Sequence, residues 1–403
     1  MNDTAGQTVA MASNFSEMDG TGEDLDKKYE DFYHTAQFIT GLICYPVICI
    51  VGLTGNVLSL IVLNQKKMLT STNVILTALA VADLIKLLND ALYFLVLILL
   101  RTHPEAGNRM MGYMYPVSHY IFNQAVCITA WLTVSVAVER YISVCHATRA
   151  KMICTVERAR VVSILVFILM SLLAVPSALR YTKVTLYDNT TNSSYYDIAP
   201  SALGNNRQFM TAYIWLQNLL RSLIPLFVLI ILNTCIIHSL RKQRVKGKKM
   251  SARNRITLML ITIVVVFLIC ITPDAIMSTF FGYGYVEANN LAKGIREFTD
   301  MLLAVNSAVN FVIYCAFSKV FRDTFISIFC KKYAENRKRR KRDANKERLL
   351  PTNAERSRRR SDYENGNSPS MTRIDCQVEL PQQTMAIING DAMSKEEGAQ
   401  TYV

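Results

Sequence analysis

The chain has 403 residues, 51% of them apolar, and a formal charge of +13. That length suits one large or two ordinary soluble domains, but the apolar residues come in long blocks instead of interleaving with polar ones. A water-soluble globule is therefore excluded in favour of a chain that crosses a membrane many times.

Residues 1–36 come first, with eight acids, two lysines and no apolar stretch. They hold too little apolar surface to offset the entropy of ordering, and they predict a flexible outer tail. No signal peptide is expected there, so the first span acts as its own signal. Asn2 and Asn14 open Asn-x-Ser/Thr triplets in this tail, and Asn189 and Asn192 open two more before the fifth apolar block. Glycans are added only in the secretory lumen, so all four asparagines are expected on the outer side.

Seven apolar blocks follow, at 37–63, 73–100, 113–144, 161–179, 209–240, 256–281 and 295–317. Each is long enough to cross a hydrocarbon core of about 30 Å as helix. The third and fifth are longer than a perpendicular crossing needs, which predicts tilt or helix running past the interface. The seventh has Arg296, Glu297 and Asp300 in its first turns. Loops 64–72, 145–160 and 241–255 hold 14 Lys or Arg in 40 residues, whereas loops 101–112, 180–208 and 282–294 hold 6 in 54. The basic set is expected inside, which makes this a multi-pass plasma-membrane protein with its amino terminus outside and its carboxy terminus in the cytoplasm. On this topology the ten cysteines lie in spans or at the inner face, and none is in an outer loop.

Beyond the seventh block, Phe317, Phe321, Phe325 and Phe329 recur every fourth residue. Residues 318–330 thus predict an amphipathic helix in the interface plane. Cys330 at its end suits palmitoylation, or is an idle thiol. Residues 331–403 form a cytoplasmic tail whose first thirty carry 14 Lys or Arg against four acids. Beside a membrane this favours anionic lipid over nucleic acid, and a solvated tail without a ligand stays open. The final Thr401-Tyr402-Val403 can add as a strand to a PDZ groove.

Charged groups at bilayer depth are costly and mark function. Counting helical rise from the inner end of each span, Arg140 lies about 6 Å deep, Asn310 about 10 Å and Asp83 about 15 Å. Lys86 comes out at about 20 Å, and Arg221, Asp274, Asp300 and Asp90 at about 25 to 28 Å. Two layers result, one at the outer mouth and one toward the inner face. Lys86 is spaced to pair with Asp83 or Asp90 on its own helix. Arg221 and Asp274 either neutralise each other or meet a ligand. His119 and His238 have no second ligand at metal spacing. No nucleophile, base and oxyanion set is assembled, so no catalytic residue and no enzyme is predicted. Repeats and broken helices, or rings of like charge, would mark a transporter or channel, and the spans show neither.

In chain order, Gly55-Asn56-Val57, Leu79-Ala80-Val81-Ala82-Asp83-Leu84, Glu139-Arg140-Tyr141, Pro225, Cys270-Ile271-Thr272-Pro273 and Asn310-Phe311-Val312-Ile313-Tyr314 fall one set to a span. Over residues 37–330 the chain resembles the rhodopsin-like (class A) G-protein-coupled receptors, and the runs around Trp131 and Asn306 look most like neuropeptide receptors of the FMRFamide-receptor type. The resemblance implies a seven-helix bundle that binds an extracellular ligand and activates a heterotrimeric G protein, with arrestin and receptor kinases as further partners. It implies that Arg140 meets the Gα subunit, that Glu139, Tyr141, Asn233, Asn310 and Tyr314 belong to the switch, and that Asp83, Thr129, Asn306, Ser307 and Asn310 surround an allosteric sodium ion. The alternative for Asp83 is a hydrogen bond to Asn310 without metal. No cofactor is required.

Departures from the family pattern sharpen the reading. Tyr115 stands where the family has a cysteine tied to the second outer loop, so that loop is expected to move more freely. Ile271, Phe311 and Val166 replace a switch tryptophan, a proline and a helix-four tryptophan, and Arg253 leaves Arg140 without an acid from helix six. Phe122 fills the place of the aspartate used by amine receptors, and Ala304 that of the retinal-linking lysine. The resemblance, more than the charges, implies a short amidated peptide as the expected ligand, contacting Asp90, Phe122, Arg221, Asp274 and Asp300. A lipid or other small molecule is the alternative within the family, and a transporter or channel the alternative outside it.

Overall fold

A computed structural model describes residues 27–188, 193–245, 252–280, 289–330 and Glu335. Asn2, Asn14, Asn189, Asn192, Cys376, the basic tail and Thr401-Tyr402-Val403 lie outside these residues, as does the side chain of Arg253.

Seven long helices form a bundle: α1 (Glu30–Leu63), α2 (Ser71–Thr102), α3 (Pro104–Cys145), α4 (Val156–Leu179), α5 (Arg207–Asn218 continuing through Leu219–Leu223 to Ile224–Val245), α6 (Ala252–Phe280) and α7 (Asn290–Phe317). A shorter helix, α8 (Lys319–Phe329), follows. Among the described residues six of the seven are long and apolar enough to cross a membrane. The other is α2, into which Asp83, Lys86 and Asp90 are set within two turns. The charged start of α7 does not keep that helix from the six.

The helices outrun their apolar blocks, because hydropathy sees only the part that lipid must cover while caps and backbone bonds carry the helix further. Thr70, Thr155, Asn206 and Asn289 each accept a bond from the backbone N–H three residues on, at 2.9 to 3.3 Å, and so start α2, α4, α5 and α7. Pro104 starts α3, nine residues before the expected 113, where its missing N–H costs nothing. The expectation of a flexible tail through residue 36 is corrected: Glu30–Gln37 is helical, and Phe32 packs against Gly294 of α7.

α3 lies at the centre and touches α2, α4, α5 and α6. α1 closes on α7, where an added Cβ at Gly52 would stand 2.9 Å from Ala308 Cβ and one at Gly55 2.9 Å from Phe311 Cβ. Asn56 Nδ2 donates to the carbonyls of Gly52 at 2.9 Å and Ser307 at 2.8 Å, a cross-link in a medium that offers no competing water. One apolar cluster, around Leu76, Leu132, Ile263 and Tyr314, fills the α8 end of the bundle. A second, around Val126, Leu229, Phe267 and Ile271, packs α3, α5, α6 and α7 together.

Ahead of Pro46 and Pro225 the helix turn is widened, whereas Pro116, Pro176 and Pro273 sit within regular α-helix. Leu219–Leu223 is a π turn, in which Ile224 N–H donates to the carbonyl of Leu219. Leu220 is thereby skipped, and Pro225 has no N–H to offer it. Trp131 on α3 supplies the missing donor, its Nε1 lying 2.9 Å from the Leu220 carbonyl oxygen. A similar π turn, Phe38–Cys44, precedes Pro46 in α1.

Between α4 and α5 the chain forms an antiparallel hairpin, β1 (Tyr181–Asp188) and β2 (Ser193–Pro200), with Tyr181 opposite Pro200 and Lys183 opposite Ile198. The flanks of this second outer loop are paired strands seated on α3.

Gly52→Val is expected to lower the stability of the detergent-solubilised protein by about 1–3 kcal/mol, read as a drop in thermal midpoint. Leu88→Val, on the exposed face of α2, should shift it far less.

Candidate functional site

At the hairpin end the helices part around a cavity with about 920 Å³ of empty space, its open mouth included. Asp90, Phe122, Arg221, Asp274 and Asp300, the five expected ligand contacts from five different helices, all line it. Side chains carried at the right height on separate helices thus converge at one place.

Their charges are largely answered by one another. Lys86 Nζ lies 2.6 Å from Asp90 Oδ2, one helical turn away, and Lys86 has 2% of its surface exposed. Arg221, at 1% exposure, bonds Asp274 and donates from Nη1 to Asn123 Oδ1 at 2.9 Å. Phe122 sits between the two cations, with Lys86 Nζ 5.2 Å and the Arg221 guanidinium carbon 5.5 Å from its ring centre. The negative face of the ring thus helps to hold two buried positive charges, where an aspartate would pair with only one.

Glu297, buried in the first turns of α7, accepts bonds from Thr40 Oγ1 at 3.1 Å and Tyr93 Oη at 3.2 Å. Asp300, one turn further along, has no hydrogen bond or ion pair among the described residues, and its carboxylate faces the cavity. Of the acids expected to meet a ligand, Asp90 and Asp274 are already neutralised and Asp300 is not.

At the other end, Glu139 Oε1 accepts from Ser71 Oγ at 2.6 Å, from Thr72 Oγ1 at 2.8 Å and from Arg140 Nη2 at 3.3 Å. Arg140 shares a closed gap with Asn233, Thr257 and Leu260, so α5 and α6 cover its guanidinium. Tyr141 meets His146 edge to face at 5.5 Å.

Between the two ends, Asp83 accepts from Asn310 Nδ2 at 2.8 Å and from Thr129 Oγ1 at 3.5 Å, and Ser307 is buried on α7 a turn before Asn310. Asn306 is buried on α7, a turn before Asn310. These carboxylate, hydroxyl and amide oxygens suit a hard cation, although Asn310 already spends its amide group on one oxygen of Asp83. Among the described residues there is no group of three or more His, Cys, Asp and Glu arranged for a metal.

Tyr314 is buried against Phe321, and its hydroxyl has no hydrogen-bond partner among the described residues. The chain then turns into α8 through two matched caps. Ser318 Oγ accepts from Phe321 N at 3.2 Å, and Arg322 Nη1 donates to the last carbonyls of α7, Cys315 at 2.7 Å and Ala316 at 2.6 Å. Cys330 is a free, exposed thiol at the end of α8.

Sequence reasoning did not assign Tyr93, Asn123, His119, Arg296 or Glu297 to the cavity, yet each lines it. Arg296 and Glu297 read as a weakness in the hydropathy of α7. Two adjacent charges buried inside a span are themselves the signal that could have placed them there.

The family model described as 7 transmembrane receptor (rhodopsin family) matches residues 55–314. The chain is 26% identical over 298 residues to the FMRFamide receptor of Drosophila melanogaster, a match covering 71% of this chain and 53% of that receptor, so it spans about half of that relative's length. It is 28% identical over 319 residues to the Drosophila melanogaster sex peptide receptor, covering 71% of each chain. It is also 28% identical over 327 residues to sex peptide receptor-related protein 2 of Caenorhabditis elegans, covering 71% and 70%.

Asp274→Asn strands a buried guanidinium and is expected to destabilise the solubilised protein by about 3–5 kcal/mol. Asp300→Asn removes an unanswered charge and should leave the thermal midpoint unchanged or raise it. Equal losses in the two variants would contradict this assignment of partners.

Proposed function

Because the chain belongs to the rhodopsin family of seven-transmembrane receptors, of the neuropeptide-receptor type and not an enzyme, we propose that it binds a short extracellular peptide at the hairpin end and activates a heterotrimeric G protein at the α8 end. The observation that carries this reading is the division of its polar interior. One set of charged side chains surrounds an open cavity, and the other, centred on Arg140, is closed off by α5 and α6. The amino terminus and the hairpin then lie outside the cell, and α8 and the basic tail inside, in accord with the loop charges.

Asp300 narrows the ligand. A carboxylate without a neutralising partner in the cavity wall favours a cationic group, such as an arginine side chain or the amino terminus of a peptide. The cavity wall, with tyrosines, amides and two buried ion pairs, suits an amidated peptide better than the acyl chain of a lipid. The names of the Drosophila relatives support a peptide and do not identify it.

Activation is a population shift toward a minor open state, and the peptide stabilises that state only by binding it more tightly than the closed one. In the closed state Glu139 holds Arg140 beneath α5 and α6, and opening exposes the guanidinium to the Gα subunit. The lone hydroxyl of Tyr314 costs the closed state about 1–3 kcal/mol, which a rotation toward water or a partner would recover. When present, a sodium ion held by Asp83, Thr129, Asn306, Ser307 and Asn310 would add positive charge to an already tight closed core. Palmitate on Cys330, anionic lipid under the basic tail, arrestin and receptor kinases on that tail, and a PDZ protein at Val403 complete the proposed inner partners. Glycans belong on Asn2, Asn14, Asn189 and Asn192.

In membranes from cells expressing the chain, an amidated-peptide library is expected to yield an agonist that stimulates GTPγS binding. Arg140→Ala should abolish that stimulation with surface expression intact, and solute flux insensitive to Arg140→Ala would favour a transporter instead. Tyr314→Phe should weaken the maximal response while leaving the thermal midpoint of the agonist-free protein equal or higher.

A further inference from the structure

We propose that Lys183 is the positioning residue that seats the hairpin on α3, as a cation clamped between two tyrosines, where the family resemblance implies a covalent cysteine bridge. Lys183 Nζ stands 3.9 Å from the ring centre of Tyr113 on α3 and 4.2 Å from that of Tyr196 on β2. Lys183 and Tyr196 are diagonal neighbours across the strands, since Lys183 faces Ile198 and Thr185 faces Tyr196, so both reach the same side of the hairpin. Their spacing is therefore set by the strand register, and Tyr113 closes the sandwich from the helix.

Two further features belong to the same arrangement. The stem of Lys183 lies along Gly112, where an added Cβ would come within 2.9 Å of Lys183 Cγ. Only a residue without a side chain lets the lysine run flat against α3 and still reach Tyr113, its neighbour in sequence. The guanidinium carbon of Arg109, also on α3, lies 5.9 Å from the ring centre of Tyr196, so α3 offers that tyrosine a second cation.

The clamp bears on the cavity through Tyr181, two residues before Lys183 on the same strand. Tyr181 is buried, with its ring centre 5.2 Å from that of Tyr115 and 5.3 Å from that of His119, both nearly edge to face. Tyr115 and His119 are cavity-lining residues, and Tyr115 is the position where the family cysteine is missing. Seating Lys183 thus fixes Tyr181 against two side chains of the ligand-facing wall. A non-covalent clamp of this kind is indifferent to reductant and can release and reseat on the timescale of ligand entry. A disulfide can do neither.

The consequence for ligand affinity rests on the peptide-receptor reading, whereas the clamp itself does not, and the test separates the two. Hydrogen–deuterium exchange on the purified full chain without peptide should rise across residues 181–186 in Lys183→Met and, equally, in Tyr113→Leu. Combining the substitutions should add nothing more, and Lys183→Arg, which keeps the cation, should remain close to the unaltered protein. In cells, Lys183→Met should raise the half-maximal peptide concentration roughly tenfold with the maximal response retained. Unchanged exchange in both single variants overturns the proposal, as do additive effects of the two substitutions on peptide response, which would make Lys183 a direct ligand contact. Raised exchange without any change in peptide response upholds the clamp and counts against the cavity as the peptide site.

Discussion

No water reaches the middle of a bilayer, so every charge carried there has to be answered within the protein. The bundle meets this constraint with a few pairs whose partners come from chosen places. Lys86 turns to Asp90 on its own helix, Arg221 crosses from α5 to Asp274 on α6, and Asp83 crosses from α2 to Asn310 on α7. Each crossing pair is also a statement about helix position, because a buried pair is favourable only while its geometry holds. Glu297, bonded from α1 and α2 at once, extends the same logic to the start of α7.

Backbone groups obey the same rule and explain the irregular turns. A proline inside a span removes one donor, and in water the orphaned carbonyl would simply be hydrated. In α5 the turn widens instead, and a tryptophan from α3 meets the carbonyl left over. The place where α5 is least regular is thus also where it is tied to the central helix, and Arg221 lies within that same widened turn. Irregular backbone and a buried cation thus occur together, the first bonded to Trp131 and the second to Asn123, both on α3.

Toward the hairpin end the constraint relaxes, since a cavity admits water and ligand. Beside the Lys86–Asp90 and Arg221–Asp274 pairs, weaker contacts act there: tyrosine rings, lysine and arginine over aromatic faces, and two short paired strands. The contrast with the α8 end is one of polarity and packing. At the α8 end, apolar packing, the Glu139 bonds and the Arg322 cap close the structure tightly, whereas the cavity wall keeps one acid, Asp300, without a partner.

Block hydropathy and helical rise are local and additive, so the helices and their order, the amphipathic α8 and five residues of the cavity were legible in the chain alone, whereas Tyr93, Asn123, His119, Arg296 and Glu297 were not. It could count the depth of Asp90, Arg221, Asp274 and Asp300, and all four meet at one cavity. Helix ends escaped it, since caps such as Thr70 and Pro104 extend helices past the apolar stretch that hydropathy detects. Who pairs with whom came only from tertiary packing: Lys86 had candidate acids three and four residues away, and Asp83 is engaged by Asn310 from α7 and Thr129 from α3 while Asp90 takes the lysine. Packing likewise left Asp300 without a partner and set Lys183 between Tyr113 and Tyr196. Such choices depend on distances between residues far apart in the chain, and no local period encodes those distances.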